Sequence, residues 1–163
     1  LVQLTDLILI GFLPDVIREI APLGAKVDVV TRLSLPAEMK AQIPAGSHGD
    51  LVFTVNPLIY SAGLPLYTAL HMATPAGESL KWRRWIVGAL ILLLAQAWGV
   101  CFEILKTLLF NLGIEINRAM AFSAMQTELT ALAYQLGYLI LPTVLPVMIW
   151  IIQSRNYILK LIK

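Results

Sequence analysis

The amino-acid sequence predicts a mainly α-helical membrane protein: about three transmembrane helices, interfacial helices at the N-terminus and a small extracytoplasmic β-hairpin. Three observations carry this reading. Eighteen residues from Trp85 to Phe102 and twenty-six from Leu129 to Ser154 contain no charge, and a hydrocarbon core about 30 Å thick takes roughly 20 mainly apolar helical residues to cross. The composition is 58% hydrophobic and 13% charged, with a mean hydropathy of +0.78, well away from a soluble domain of this length. Between Lys26 and Val55 the apolar period changes to two, which marks strands.

Residues 1–25 read as an interfacial amphipathic segment. Leu4, Leu7, Ile8 and Leu13 are apolar, but Asp6 interrupts early and Pro14 breaks a continuous helix. Val16, Ile17 and Ile20 then recur at helical spacing against Asp15, Arg18 and Glu19, so a second short helix is expected with Pro14 at its start. The chain begins at Leu1 rather than Met, and the expectation is a truncated or processed N-terminus that a further helix could precede. No basic leader and cleavage site can be read there.

Residues 26–56 form the expected hairpin. Val27, Val29, Thr31, Leu33 and Leu35 alternate with Asp28, Val30, Arg32 and Ser34; Leu51, Phe53 and Val55 repeat the pattern. Pro36, Pro44, Gly46 and Gly49 supply the turn residues of a long connecting loop. Leu33, Phe53 and Val55 are expected to be covered, since two strands alone are marginal in water.

Residues 57–163 make up the transmembrane domain, with spans at about 57–75, 82–112 and 119–152. Asn56-Pro57 resembles a helix cap followed by proline at the first helical position. Gly63 and Pro65 inside the first span predict a kink. Asn111, Gly113 and Asn117 mark the turn before the last span. Lys81, Arg83 and Arg84 crowd the loop 76–84, and Arg155, Lys160 and Lys163 occupy the tail; the positive-inside rule makes both cytoplasmic and the hairpin extracytoplasmic. Trp82, Trp85 and Tyr157 sit where an interfacial aromatic belt belongs.

The net charge of +2 gives no basic surface for nucleic acid. A single cysteine, Cys101, rules out an internal disulfide and a cysteine metal cluster. Phosphate-binding glycine loops, HExxH and CxxCH are absent from the sequence, so no cofactor, metal or catalytic residue is assigned. Cys101 as a nucleophile needs a base. His71 falls toward the other end of the membrane, and His48 lies in the hairpin loop without an orienting acid. A small buried apolar side chain is therefore the expected role of Cys101. Glu103 with Lys106, and Glu115 with Arg118, are spaced for interfacial ion pairs. Gln96, Glu128 and Gln135 are polar groups at membrane depth that must bond within the bundle or to another subunit. Ala119, Ser123, Thr127 and Ala131 form a small-residue stripe suited to close helix approach, as do Ser61, Pro65, Ala69 and Ala73. The first stripe, with Glu128 beside it, is the candidate partner interface; internal packing against residues 86–110 stays open.

The segments Asp6–Asp15 (DLILIGFLPD), Val29–Leu33 (VVTRL), Asn56–Pro75 (NPLIYSAGLPLYTALHMATP) and Gln96–Phe110 (QAWGVCFEILKTLLF) resemble the exosortase H-associated membrane proteins. These are bacterial inner-membrane proteins encoded beside an exosortase, a transpeptidase-like enzyme acting on proteins with a C-terminal sorting tail. The resemblance implies a non-catalytic accessory subunit that stabilises, or presents substrate to, a larger membrane partner. Exosortases are expected to use a Cys, an Arg and a His on the outer face, the Cys in a glycine-containing motif. Cys101 stands in WGVCFEI, outside that pattern, so no catalytic residue is carried over. Alternatives are a subunit of another inner-membrane complex, pilus or energy-transducing, or a small transporter or membrane enzyme using Glu128, Gln96 and Cys101.

Overall fold

The computed structural model describes residues 1–12, 14, 16–34, 50–75, 78–111 and 122–161. The hairpin loop with His48, the pair Glu115 and Arg118, and Ala119 of the stripe lie outside the described residues, as does the Leu33 side chain.

Helix α1 spans Val2–Phe12. Strands β1 (Ile17–Leu23), β2 (Lys26–Ser34) and β3 (Asp50–Val55) follow. A 3₁₀ turn, Pro57–Tyr60, leads into α2, Gly63–Ala73. The long helix α3, Glu78–Lys106, continues as a π-helical turn to Asn111. Helix α4 (Ala124–Gln135) also ends in a π turn, Leu136–Ile140, before α5 (Val144–Gln153) and α6 (Arg155–Leu161).

The sheet is an antiparallel meander, β1-β2-β3, so the two-stranded hairpin gains a third strand. The expected pairing of β2 with β3 is present, with Val27 opposite Val55 and Val29 opposite Phe53. Val55 is buried and Phe53 half-buried. The second N-terminal helix is not: residues 17–23 are β1, paired along β2. A β-bulge between Ile17 and Glu19 explains the misleading period. It inserts one residue, so Ile17 and Ile20, three apart, both point into the core. Pro22 is tolerated because β1 is an edge strand. Gly24, at φ +63°, supplies the left-handed turn residue between Leu23 and Lys26.

Alternation puts Val27, Val29 and Thr31 on the covered face of β2. With Ile17, Ile20 and Val55, the two valines close on Leu9 of α1, on Val100 and Ile104 in the C-terminal half of α3 and on Leu108 in its π-helical extension. A second core, Tyr67, Leu92 and Ile149, joins α2, α3 and α5.

Among the described residues one helix, Leu80–Asn111, is long and apolar enough to cross a membrane. Its 32 residues reach about 48 Å. The expected span 57–75 is instead the 3₁₀ turn and an eleven-residue helix, about 16 Å long. Pro65 falls in the first turn of α2, where its missing N–H costs no hydrogen bond, so no kink arises. The expected span 119–152 is bent by 63° between Ala124–Ile140 and Val144–Gln153, and counts as a crossing only as one broken span. Pro142 at the break accounts for the bend, since it cannot donate to the carbonyl four residues back, and Pro146 falls in the first turn of the helix that resumes. Thr143 Oγ1 satisfies the Leu139 carbonyl at 2.8 Å.

Candidate functional site

Two tyrosines lock the 57–73 segment onto α3. A Cβ placed on Gly99 would lie 2.2 Å from the Tyr60 ring, and one on Gly88 would lie 2.2 Å from the Tyr67 ring. Each glycine is a socket that no other residue provides without displacing a ring. On its other side Gly99 meets Gly137, whose added Cβ would stand 3.0 Å from the Gly99 Cα. Helix α3 and the turn after α4 therefore touch at backbone distance, and Trp98 Nε1 donates to the Ala133 carbonyl at 3.2 Å. The sequence held a signal for the sockets: Gly88 and Gly99 are three helical turns apart, on one face.

A polar belt surrounds the Gly88 socket. The Tyr67 hydroxyl lies 2.9 Å from the Arg84 carbonyl and 2.8 Å from Gln153 Oε1; both are acceptors, so its one proton serves one at a time. Gln153 Nε2 donates to the same Arg84 carbonyl at 3.1 Å. Trp85 Nε1 donates to Thr68, and Trp150 Nε1 to Thr74. His71 Nε2 stands 2.9 Å from the Lys81 carbonyl. A carbonyl only accepts, so Nε2 carries the proton, and the buried Nδ1 has no partner among the described residues. These contacts tie α2, α3 and α5 at the N-terminal end of α3.

Cys101 is buried in the sheet-side core beside Val100 and Ile104. His71 contacts the Lys81 carbonyl, and twenty residues of helix rise put Cys101 about 30 Å further along. The structure thus keeps thiol and imidazole apart. Glu103 and Lys106 lie within electrostatic reach of each other, but the Lys106 ammonium sits over the Tyr134 ring, 5.2 Å from its centroid. The Glu103 carboxylate lies within electrostatic reach of the Tyr60 hydroxyl, and Glu103 Oε2 and the Tyr60 oxygen are both buried without a hydrogen-bond partner among the described residues. Tyr60 also meets Tyr138 edge to face at 6.4 Å. Gln96 is 8% exposed and lines a small cavity with Tyr60, Gly63 and Pro142.

The partner-interface candidates divide. Ser123 is not on a helix face: it is the N-cap of α4, in a capping box with Gln126. Thr127 and Ala131 are half-buried on α4. They form a row with Gln135 at four-residue spacing, and Glu128 lies beside it. Glu128 and Gln135 are exposed, and neither bonds or ion-pairs with any described residue. Next to this face, Trp98 and Phe102 of α3 and Phe122, Leu129 and Leu136 line an apolar groove of about 510 Å³. No group of three or more His, Cys, Asp or Glu among the described residues could hold a metal ion.

No curated protein and no solved structure matches the chain. Its residues 1–157 match the family described as exosortase H-associated membrane protein. A match over nearly the whole length, on a chain with a 32-residue apolar helix, settles the family: this protein belongs to the exosortase H-associated membrane proteins.

Proposed function

We propose that the chain is a non-catalytic accessory subunit of a bacterial inner-membrane protein-sorting system, holding or presenting substrate to an exosortase. Family membership carries this reading. The use of the polar side chains supports it. His71, Tyr67 and Gln153 hold helices together, and Cys101 sits in an apolar core about 30 Å from the imidazole. In this reading the chain is multi-pass, with the loop 76–84 and the C-terminus cytoplasmic and the sheet extracytoplasmic. The decisive experiment expresses the exosortase with and without this chain, measuring exosortase level, copurification in mild detergent and cleavage of a tailed substrate. Copurification with raised exosortase level or cleavage supports the subunit role. Substrate cleavage or transport by the lone chain overturns it.

A further inference from the structure

The outward sides of α3 and α5 set a standard for lipid contact. Ile86, Leu90 and Leu94 on α3, and Met148, Ile151 and Ile152 on α5, are exposed and apolar. Helix α4 departs from it. Met125 and Leu132 are 70% and 61% exposed, yet the residues between and beyond them on the same side are Glu128 and Gln135. The spacing 125, 128, 132, 135 is three-four-three, the seam by which one helix packs along another.

Three other polar side chains of α4 bond within the helix and its cap. Thr127 Oγ1 donates to the Ser123 carbonyl and Thr130 Oγ1 to the Gln126 carbonyl, while Gln126 closes the cap. Glu128 and Gln135 are left pointing outward. Their depth follows from a cross-helix bond: Trp98 donates to the Ala133 carbonyl, so this level falls within the uncharged stretch 85–102. Gln135 is within two residues of it. Glu128 is one turn and a half nearer the helix start, at the edge of the apolar depth. A carboxylate and a carboxamide facing hydrocarbon are costly and call for a hydrogen-bonding neighbour.

We propose that this face of α4, bearing Thr127, Glu128, Ala131 and Gln135, is the docking site for a transmembrane helix of the exosortase partner. That helix presents a lysine or arginine opposite Glu128 and a hydrogen-bonding side chain about 10 Å deeper opposite Gln135. The inference rests on the accessory-subunit reading above. Thr127 and Ala131 are small enough for close approach along the same flank. Charge selects the occupant. A second copy docking through this face about a twofold axis parallel to the helices sets Glu128 against Glu128, which repels.

The test uses the full chain coexpressed with the exosortase in membranes. A photo-crosslinking residue at position 132 should capture the exosortase, and one at position 152, exposed on α5, should not. Glu128→Lys should lower copurification by about tenfold or more, and Gln135→Leu should lower it by a smaller factor. The melting temperature of the isolated variants in detergent should stay at the wild-type value, which separates docking from folding. Crosslinks from position 132 only to a second copy, or to lipid alone, overturn the proposal, as do variants that copurify at wild-type yield. A wild-type chain that brings down no exosortase overturns the accessory reading together with this one; intact wild-type copurification with unaffected variants overturns the α4 face alone.

Discussion

A methyl group at position 99 would have to share space with the Tyr60 ring, 2.2 Å away. Alanine normally gains about 1 kcal/mol over glycine inside a helix. Overpacking costs about 1–3 kcal/mol, and here the ring also packs edge to face against Tyr138. Gly99→Ala is therefore expected to lower the melting temperature in detergent by up to about 8 °C, and Tyr60→Ala in the same chain should remove most of the penalty attributable to the clash. Gly11→Ala is the control: nothing lies within 4 Å of its added Cβ, so the substitution should be neutral or stabilising by up to about 1 kcal/mol. Cys101→Ala is expected to cost about 1 kcal/mol or less and to leave exosortase-dependent cleavage intact. Loss of cleavage at normal protein level would return the thiol to consideration as a nucleophile.

Helix α4 shows what spacing can and cannot tell. Four small residues at every fourth position look like one continuous stripe, but α4 begins after its first described member, Ser123, whose hydroxyl accepts from the Gln126 N–H. The signal for that was present, since Ser-x-x-Gln ahead of an apolar run is a capping box. Ser123→Ala should thus cost about 0.5–2 kcal/mol of stability, measured by thermal unfolding of the isolated chain, without altering the docking face. Thr127→Leu should do the reverse, leaving the cap and crowding the flank, so that copurification falls while the melting temperature holds. Strand β1 was illegible for a different reason. Its bulge turned a period of two into a spacing of three between Ile17 and Ile20, which is the helix signature. Strands β2 and β3 carry no bulge between Val27 and Val30, and there the alternation could be read directly.

At the scale of the whole chain, hydropathy identified α3 because its apolar run is uninterrupted. The same measure overcounted elsewhere, because it records whether residues tolerate lipid and not whether the backbone runs straight. Residues 57–75 are apolar but cut by the 3₁₀ turn, and the final apolar run folds back through 63° at Pro142. Side-chain pairing across the bundle was beyond the sequence: no local pattern says that Tyr67 reaches Gln153 or that Trp98 reaches Ala133. Sidedness in the proposed topology has its own check. In intact cells a cysteine introduced at position 47 should react with a membrane-impermeant thiol reagent, and one at position 79 should not. Reversed labelling would invert the orientation while leaving the helix packing untouched.

The tyrosine sockets also set a timetable for biogenesis. Tyr67 leaves the ribosome twenty-one residues before Gly88, and Tyr60 thirty-nine residues before Gly99. At about 5–20 residues per second, the rings wait roughly one to eight seconds for their sockets to be synthesised. During that interval the short α2 has neither the length to cross alone nor the glycines to lean on. It must linger at the translocon or at the bilayer surface until α3 arrives. In the proposed multi-pass topology α2 and α3 would enter the membrane together, so a substitution that spoils a socket should show up first as a chain degraded during synthesis, before any loss of stability in the finished protein.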